Sequence, residues 1–367
     1  MSDAGTSYWD YIRVERLLDL QGGLEQDGGA LSNEEHLFIV VHQVFELWFK
    51  LVIRELHATR NLLVANPVPE QDIARSAERL ERVREILRLA SDHFRVIETM
   101  STRDYLAFRD KLFPASGFQS AQLREIEILI GLEDSERVAF GDGPSSWKQA
   151  LRNASGDSPA LARVERRLAD GPNLKQVLDA WLTRTPIQGS RPADPDDEAV
   201  VERFLRDYLR GHERALERQL EAARERGDAP ILEPRYRAQL EQARQFLLAA
   251  QEPEGERPRV RRLRAAAIFI TSYRELPLLA WPRRLIDLVI EVEQHLIIFR
   301  QRHARMVERV IGRRVGTGGS AGVAYLDQTA LDYRVFKELW AVRTLLLGVE
   351  DLPSVVNSEV YGFHGTH

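Results

Sequence analysis

The chain has 367 residues, long enough for two or three domains, and its 44% hydrophobic and 29% charged content excludes a disordered polymer. Its 51 basic and 56 acidic side chains leave a net charge of −5, which argues against a nucleic-acid binder. With no cysteine, disulfides, thiolate-held zinc, iron–sulfur clusters and thiol nucleophiles are excluded, so a metal would rest on nitrogen or oxygen donors, among them nine histidines.

The first ten residues are polar and aromatic, without the basic start and apolar run of a signal peptide, and no apolar run is long enough to span a bilayer. A cytoplasmic protein without a membrane partner is expected. The segment "YWDYI" (Tyr8 to Ile12) reads either as a stretch packed on its own domain or as an arm packed on a neighbouring subunit. From Glu34 to Val64 apolar residues recur at spacings of one, three and four, which predicts a helix; Pro69 to Met100 and Ser120 to Gly131 predict two more. Glycine, proline and serine clusters between Glu133 and Pro195 predict loops between short helices. Charged helices are expected over Val200–Gly227 and Tyr236–Ala250, then a polar break over Gln251–Arg264. The helical period resumes from Ala265 to Val310, interrupted near Pro277 and Pro282. A glycine-rich stretch, "GRRVGTGGSAGVAYL", precedes a last helix over Tyr333–Leu347. Sustained alternation is absent, so the fold class is all-α.

Four pieces carry chemistry. His42 sits between Phe38 and Phe45 on one helical face, and His303 shares a face with Phe299, Met306 and Val310. Each reads as a core histidine with a satisfied hydrogen bond; as a pair they also suit the two sides of a flat apolar cofactor, one ligating iron. Arg124 follows a glycine turn among Gln and Ser; it is either ion-paired or a planar fork for a substrate carboxylate. The loop Gly316-Thr317-Gly318-Gly319-Ser320 lacks the lysine of a P-loop and follows a helix, which argues against nucleotide binding. It reads as a flexible connector or as a loop that wraps a small ligand.

Taken together, Y-x-x-Y near the start, EEHLFIVVHQVFELWFK, SGFQSAQLR and RHARMVERVIGRRVGTGGSAGVAYL resemble the tryptophan 2,3-dioxygenase family, in the family's order. The resemblance covers Tyr8–Gly131 and Ala265–Leu347. Residues 132–264 match poorly and read as a partly helical insertion into a single domain of residues 1–367, with residues 1–30 as an N-terminal arm. The family resemblance implies a helical bundle with noncovalent haem b between two helix groups, O2 as co-substrate, and a homotetramer. His303 matches the histidine that ligates the haem iron. His42 matches the distal-side histidine near the indole nitrogen, the catalytic position, and Phe38 the aromatic residue lining the indole pocket. Arg124 matches the arginine that holds the substrate carboxylate, and Thr317 the threonine at the amino-acid end. Gly316 and Gly318 fall in the loop beside the cofactor. Tyr8, Tyr11 and Ile12 match arm residues that complete a neighbour's pocket.

The implied reaction is insertion of both atoms of O2 across the indole C2–C3 bond of L-tryptophan, giving N-formylkynurenine. Departures from the family pattern fall at Leu123 (usually aromatic), Phe299 (usually Trp), Glu291 and Glu293 (often Asp) and "MSTRDYLAFR". They point to two alternatives: a relative that oxidises a modified tryptophan, or one that inserts a single oxygen atom. A haem-binding sensor or carrier without turnover is a third, but it needs neither Arg124 nor Thr317.

Overall fold

The structure is a computed structural model, and it describes residues 6–113, 115, 117–138, 146–152, 156, 158–314 and 322–362. In chain order the helices are α1 (Tyr8–Ile12), α2 (Val14–Leu18), α3 (Asn33–Leu63), α4 (Glu70–Ile97), α5 (Thr102–Phe108), α6 (Ala121–Ile130), α7 (Ser146–Gln149) and α8 (Pro159–Ala169). They continue with α9 (Leu174–Arg184), α10 (Asp197–Arg226), α11 (Ala229–Leu247), α12 (Arg257–Ser272), α13 (Ala280–Val310), α14 (Val323–Asp332) and α15 (Lys337–Thr344). Short 3-10 turns join several of them. No β-strand occurs among the described residues; the one isolated bridge pairs Ile187 with Ser190. The all-α expectation holds.

The chain forms two compact units, each drawn from three stretches of sequence. Unit 1 comprises residues 1–54, 83–171 and 294–333; unit 2 comprises 55–82, 172–293 and 334–367. The core of unit 1 is aromatic. Phe45 lies 4.9 Å from Phe94 and 5.7 Å from Phe299, ring centre to ring centre, and Phe94 lies 5.1 Å from Phe299. Such offset and edge contacts add to the burial of large apolar area. In unit 2 the run Ala265–Ile270 is buried throughout, and Phe269 packs 5.6 Å from Phe204 and 4.8 Å from Tyr273. Helix α3 is long and apolar enough, by length and composition alone, to cross a membrane. Here Val41, Phe45 and Phe49 on its unit 1 stretch are buried in that unit's core.

Several element boundaries differ from the sequence reading. Helix α12 begins at Arg257, inside the expected polar break. Its charged side chains are anchored: Arg262 Nη1 donates to Asp197 at 2.5 Å and Arg264 Nε to Glu338 at 2.6 Å, so a polar sequence is buried as helix. Helix α11 starts at Ala229, earlier than expected, with a proline in its first turn, where a missing N–H costs nothing. The glycine-rich stretch gives way to helix at Val323. The last helix starts only at Lys337; just before it the Glu293 carboxylate accepts the Val335 and Phe336 N–H groups at 2.5 and 3.2 Å.

Candidate active site

Helix α6 sets one wall. Ser120 is its N-cap, the Oγ accepting the Leu123 N–H at 3.3 Å, and Gly131 ends it at φ +115°, a conformation that favours glycine. Its start is docked on α3. Ser120 Oγ donates to Glu46 Oε1 at 2.6 Å, and Gln122 Nε2 donates to Glu46 Oε2 at 2.7 Å. This fixes where Arg124, one turn in, presents its side chain.

A cavity of about 420 Å³ opens in unit 1, lined by Phe38, His42, Leu123, Arg124, Phe299, Arg300, His303 and Tyr325 among others. That volume is in the range that small ligands occupy, roughly 300–1,000 Å³. Its walls are mainly apolar and aromatic, with Ser120, Arg124 and Arg300 among the polar groups.

His42 lies one turn after Phe38, with ring centres 4.0 Å apart. Its Nδ1 is 2.7 Å from the Phe38 carbonyl. A carbonyl oxygen only accepts, so Nδ1 carries the proton and Nε2 is left as a bare acceptor. Burial lowers the pKa of the ring, against the opposing pull of the Phe38 hydrogen bond and Glu46, and keeps it neutral.

His303, on α13, stacks on Phe94 at 5.5 Å with 7° between the planes. Burial pushes its pKa down to about 4, and neighbouring His42, Arg300 and Arg124 act in the same direction. The imidazole is therefore neutral near pH 7, the form that ligates a metal. The residue just before it, Arg302, is held by its Nη2, which donates to Glu98 at 3.2 Å. Among the described residues no group of three or more His, Asp or Glu side chains is placed to hold a metal ion. One neutral imidazole in an apolar aromatic cavity is the donor set for an iron whose other nitrogens come from a flat macrocycle. The residues present fit haem, which His303 would hold.

Arg124 is ion-paired, one of the two readings the sequence allowed, and it also lines the cavity. Its Nη1 donates to Glu127 Oε2 at 2.8 Å, while its Nε is buried without a hydrogen-bond partner among the described residues. Glu127 also accepts from Arg137 Nη1 at 2.6 Å and from Arg300 Nη2 at 2.9 Å. Burial alone would raise the Glu127 carboxyl; the attraction of Arg124, Arg300 and Arg137 outweighs it and holds the pKa at about 2. Arg137 in turn lies over the Trp147 ring at 4.4 Å, and Arg300 over Tyr333 at 4.6 Å.

Phe38, His42, Arg124 and His303, far apart in sequence, thus meet around one cavity. Tyr8, Tyr11 and Ile12 do not line it. They stand on α1 with 73%, 80% and 43% of their surface exposed. The segment behind them is tied down, Gln21 Nε2 donating to Gln43 Oε1 at 2.6 Å and Gln43 Nε2 to the Leu20 carbonyl at 2.8 Å. Gly316, Thr317 and Gly318 lie outside the described residues.

The profile of the family described as Tryptophan 2,3-dioxygenase matches residues 1–346. The chain belongs to the tryptophan 2,3-dioxygenase family. It is 54% identical over 365 residues to the Tryptophan 2,3-dioxygenase of Sorangium cellulosum (strain So ce56), covering 97% of this chain and 87% of that one. It is 53% identical over 365 residues to Tryptophan 2,3-dioxygenase 2 of Ralstonia nicotianae (strain ATCC BAA-1114 / GMI1000), covering 97% of each. A Tryptophan 2,3-dioxygenase-like protein of Xanthomonas campestris pv. campestris (strain 8004) is 52% identical over 272 residues, 72% of this chain and 98% of that one. The tryptophan 2,3-dioxygenase family is a family of oxidoreductases, and this chain is one of its enzymes.

Of the departures from the tryptophan 2,3-dioxygenase pattern, Leu123 and Phe299 line the cavity. Glu293 instead holds the backbone at Val335 and Phe336, just before α15 in unit 2, so that substitution keeps a structural carboxylate. Sequence reasoning missed Glu127, Arg137, Arg300 and Tyr325. Glu127 had a signal, the Arg–Glu spacing of three in "REIE". Arg137 and Arg300 reach Glu127 from elsewhere in the chain, which no local pattern announces.

Proposed function

We propose that this chain is a haem-dependent dioxygenase that opens the indole C2–C3 bond of L-tryptophan with O2, giving N-formylkynurenine. The observation that carries the reading is His303, neutral and stacked on Phe94, in the same apolar cavity as His42 and Arg124. Haem b, when bound through His303, supplies the oxygen chemistry. The protein's part is position and polarity. Phe38 and the apolar walls hold the indole ring and exclude water. The bare Nε2 of His42 accepts the indole N–H. The Arg124 guanidinium takes the substrate carboxylate, and Thr317 takes part of the amino-acid end. Gly316 and Gly318 complete the cofactor-binding set of this reading.

The quaternary reading belongs to the same proposal. Tyr8, Tyr11 and Ile12 present apolar and aromatic surface to solvent within this chain, which suits an arm that completes a neighbour's pocket in a homotetramer. The chain acts as one cytoplasmic catalytic domain, with residues 132–264 as an insertion and residues 1–30 as the arm.

Haem-loaded protein, reduced with ascorbate and given L-tryptophan in air, is expected to yield a product heavier by two oxygen atoms, followed by absorbance and then mass spectrometry. A gain of one oxygen atom would favour the single-insertion alternative. A normal haem spectrum with no turnover of any indole would leave a sensor or carrier.

A further inference from the structure

The carboxylate of Glu127 is 1% exposed and accepts hydrogen bonds from three arginines, one on α6, one on the segment after α6, and one on α13. Arg124 and Arg137 share its Oε2, while Arg300 takes Oε1, so both oxygens are held and the carboxylate cannot turn. Arg137 is itself braced, by Asp134 at 3.2 Å and by the Trp147 ring. The only hydrogen bond described for the Arg124 side chain is the one to Glu127. An arginine side chain has many rotamers, and one charge-assisted bond to an immobile acceptor selects among them. Arg300 stands one turn before His303 on α13. The same carboxylate therefore joins the helix that presents Arg124 to the helix that presents His303.

Resting on the reading of Arg124 as the carboxylate anchor, we propose that Glu127 is a positioning residue for tryptophan binding: it aims the Arg124 guanidinium into the cavity and, through Arg300, fixes that aim relative to the helix carrying His303. Glu127 stands behind the cavity wall and is not among the residues that line it; it lowers the cost of ordering Arg124 when the substrate carboxylate arrives. Its effect is confined to ligands that have a carboxylate. A role in folding alone would have no such selectivity.

The test compares L-tryptophan with tryptamine, which lacks the carboxylate, by equilibrium dialysis on haem-loaded wild type, Arg124→Ala, Glu127→Gln and Glu127→Asp. Wild type is expected to prefer L-tryptophan, and Arg124→Ala to lose that preference. If Arg124→Ala keeps it, the anchor reading itself falls. Glu127→Gln is expected to weaken L-tryptophan binding roughly tenfold, the scale of a displaced charge-assisted contact, while leaving tryptamine unchanged; Glu127→Asp, which keeps the charge, lies between. The positioning role is overturned if Arg124→Ala loses the preference while the Glu127 variants retain it, or if they weaken both ligands equally. Where Glu127→Gln does not fold, Glu127→Asp decides by the same comparison.

Discussion

At the scale of single residues, the cavity works by keeping titratable groups in defined states. His42 and His303 are held neutral by burial, and Glu127 is held ionised by three guanidiniums against the same burial. Two substitutions separate the roles. Arg124→Ala is expected to raise KM for L-tryptophan about ten- to hundredfold, the loss of a charge-assisted hydrogen bond worth about 1.5–3 kcal/mol, with haem content unchanged; steady-state kinetics and the haem absorbance ratio check both halves. His303→Ala should lose or loosen haem while the fold persists. Full haem occupancy with an unaltered Soret band would remove His303 from the axial position. The sequence singled out these residues because imidazoles on apolar faces and an arginine after a glycine turn are local patterns. It could not distinguish an ion-paired Arg124 from a ligand-facing one, since that depends on Glu127, Arg137 and Arg300 meeting in space.

At the scale of elements, helices were legible where an apolar stripe and a stop signal coincide, as for α3, α4 and α6 with Gly131 behind it. They were misread where tertiary partners override composition. The arginines of α12 looked like a solvated break until Asp197 and Glu338 supplied their counter-charges. One close contact gives a test in unit 2. A Cβ on Gly211 of α10 would fall within van der Waals contact of the Asp351 carbonyl oxygen and 2.7 Å from Leu347 Cδ1. The backbone oxygen cannot be displaced by a rotamer change. Gly211→Ala should therefore lose about 1–3 kcal/mol through overpacking, despite alanine's better helix propensity, and a lowered urea midpoint would show it. A midpoint equal to or above wild type would mean that residues 349–351 yield easily.

At the scale of the whole molecule, stability is linked to pH through the buried charges. Glu127 has an ordinary pKa of 4.5 and a folded value of about 2, so it stabilises the native state fully above pH 4.5. That contribution, on the order of 3 kcal/mol, is lost as the pH falls from 4.5 towards 2. Urea midpoints at successive pH values should drop across that window, and the drop should be smaller in Glu127→Gln. By itself the sequence determined the fold class, the absence of thiol chemistry and the family, and it singled out four residues that line one cavity, because helical period and short motifs are properties of neighbours along the chain. Tertiary structure alone decided the two compact units, each built from three separate stretches, and the ring of arginines around Glu127. The arginine ring rests on contacts between residues up to 173 positions apart, and burial makes a charge stable only when such distant partners arrive together.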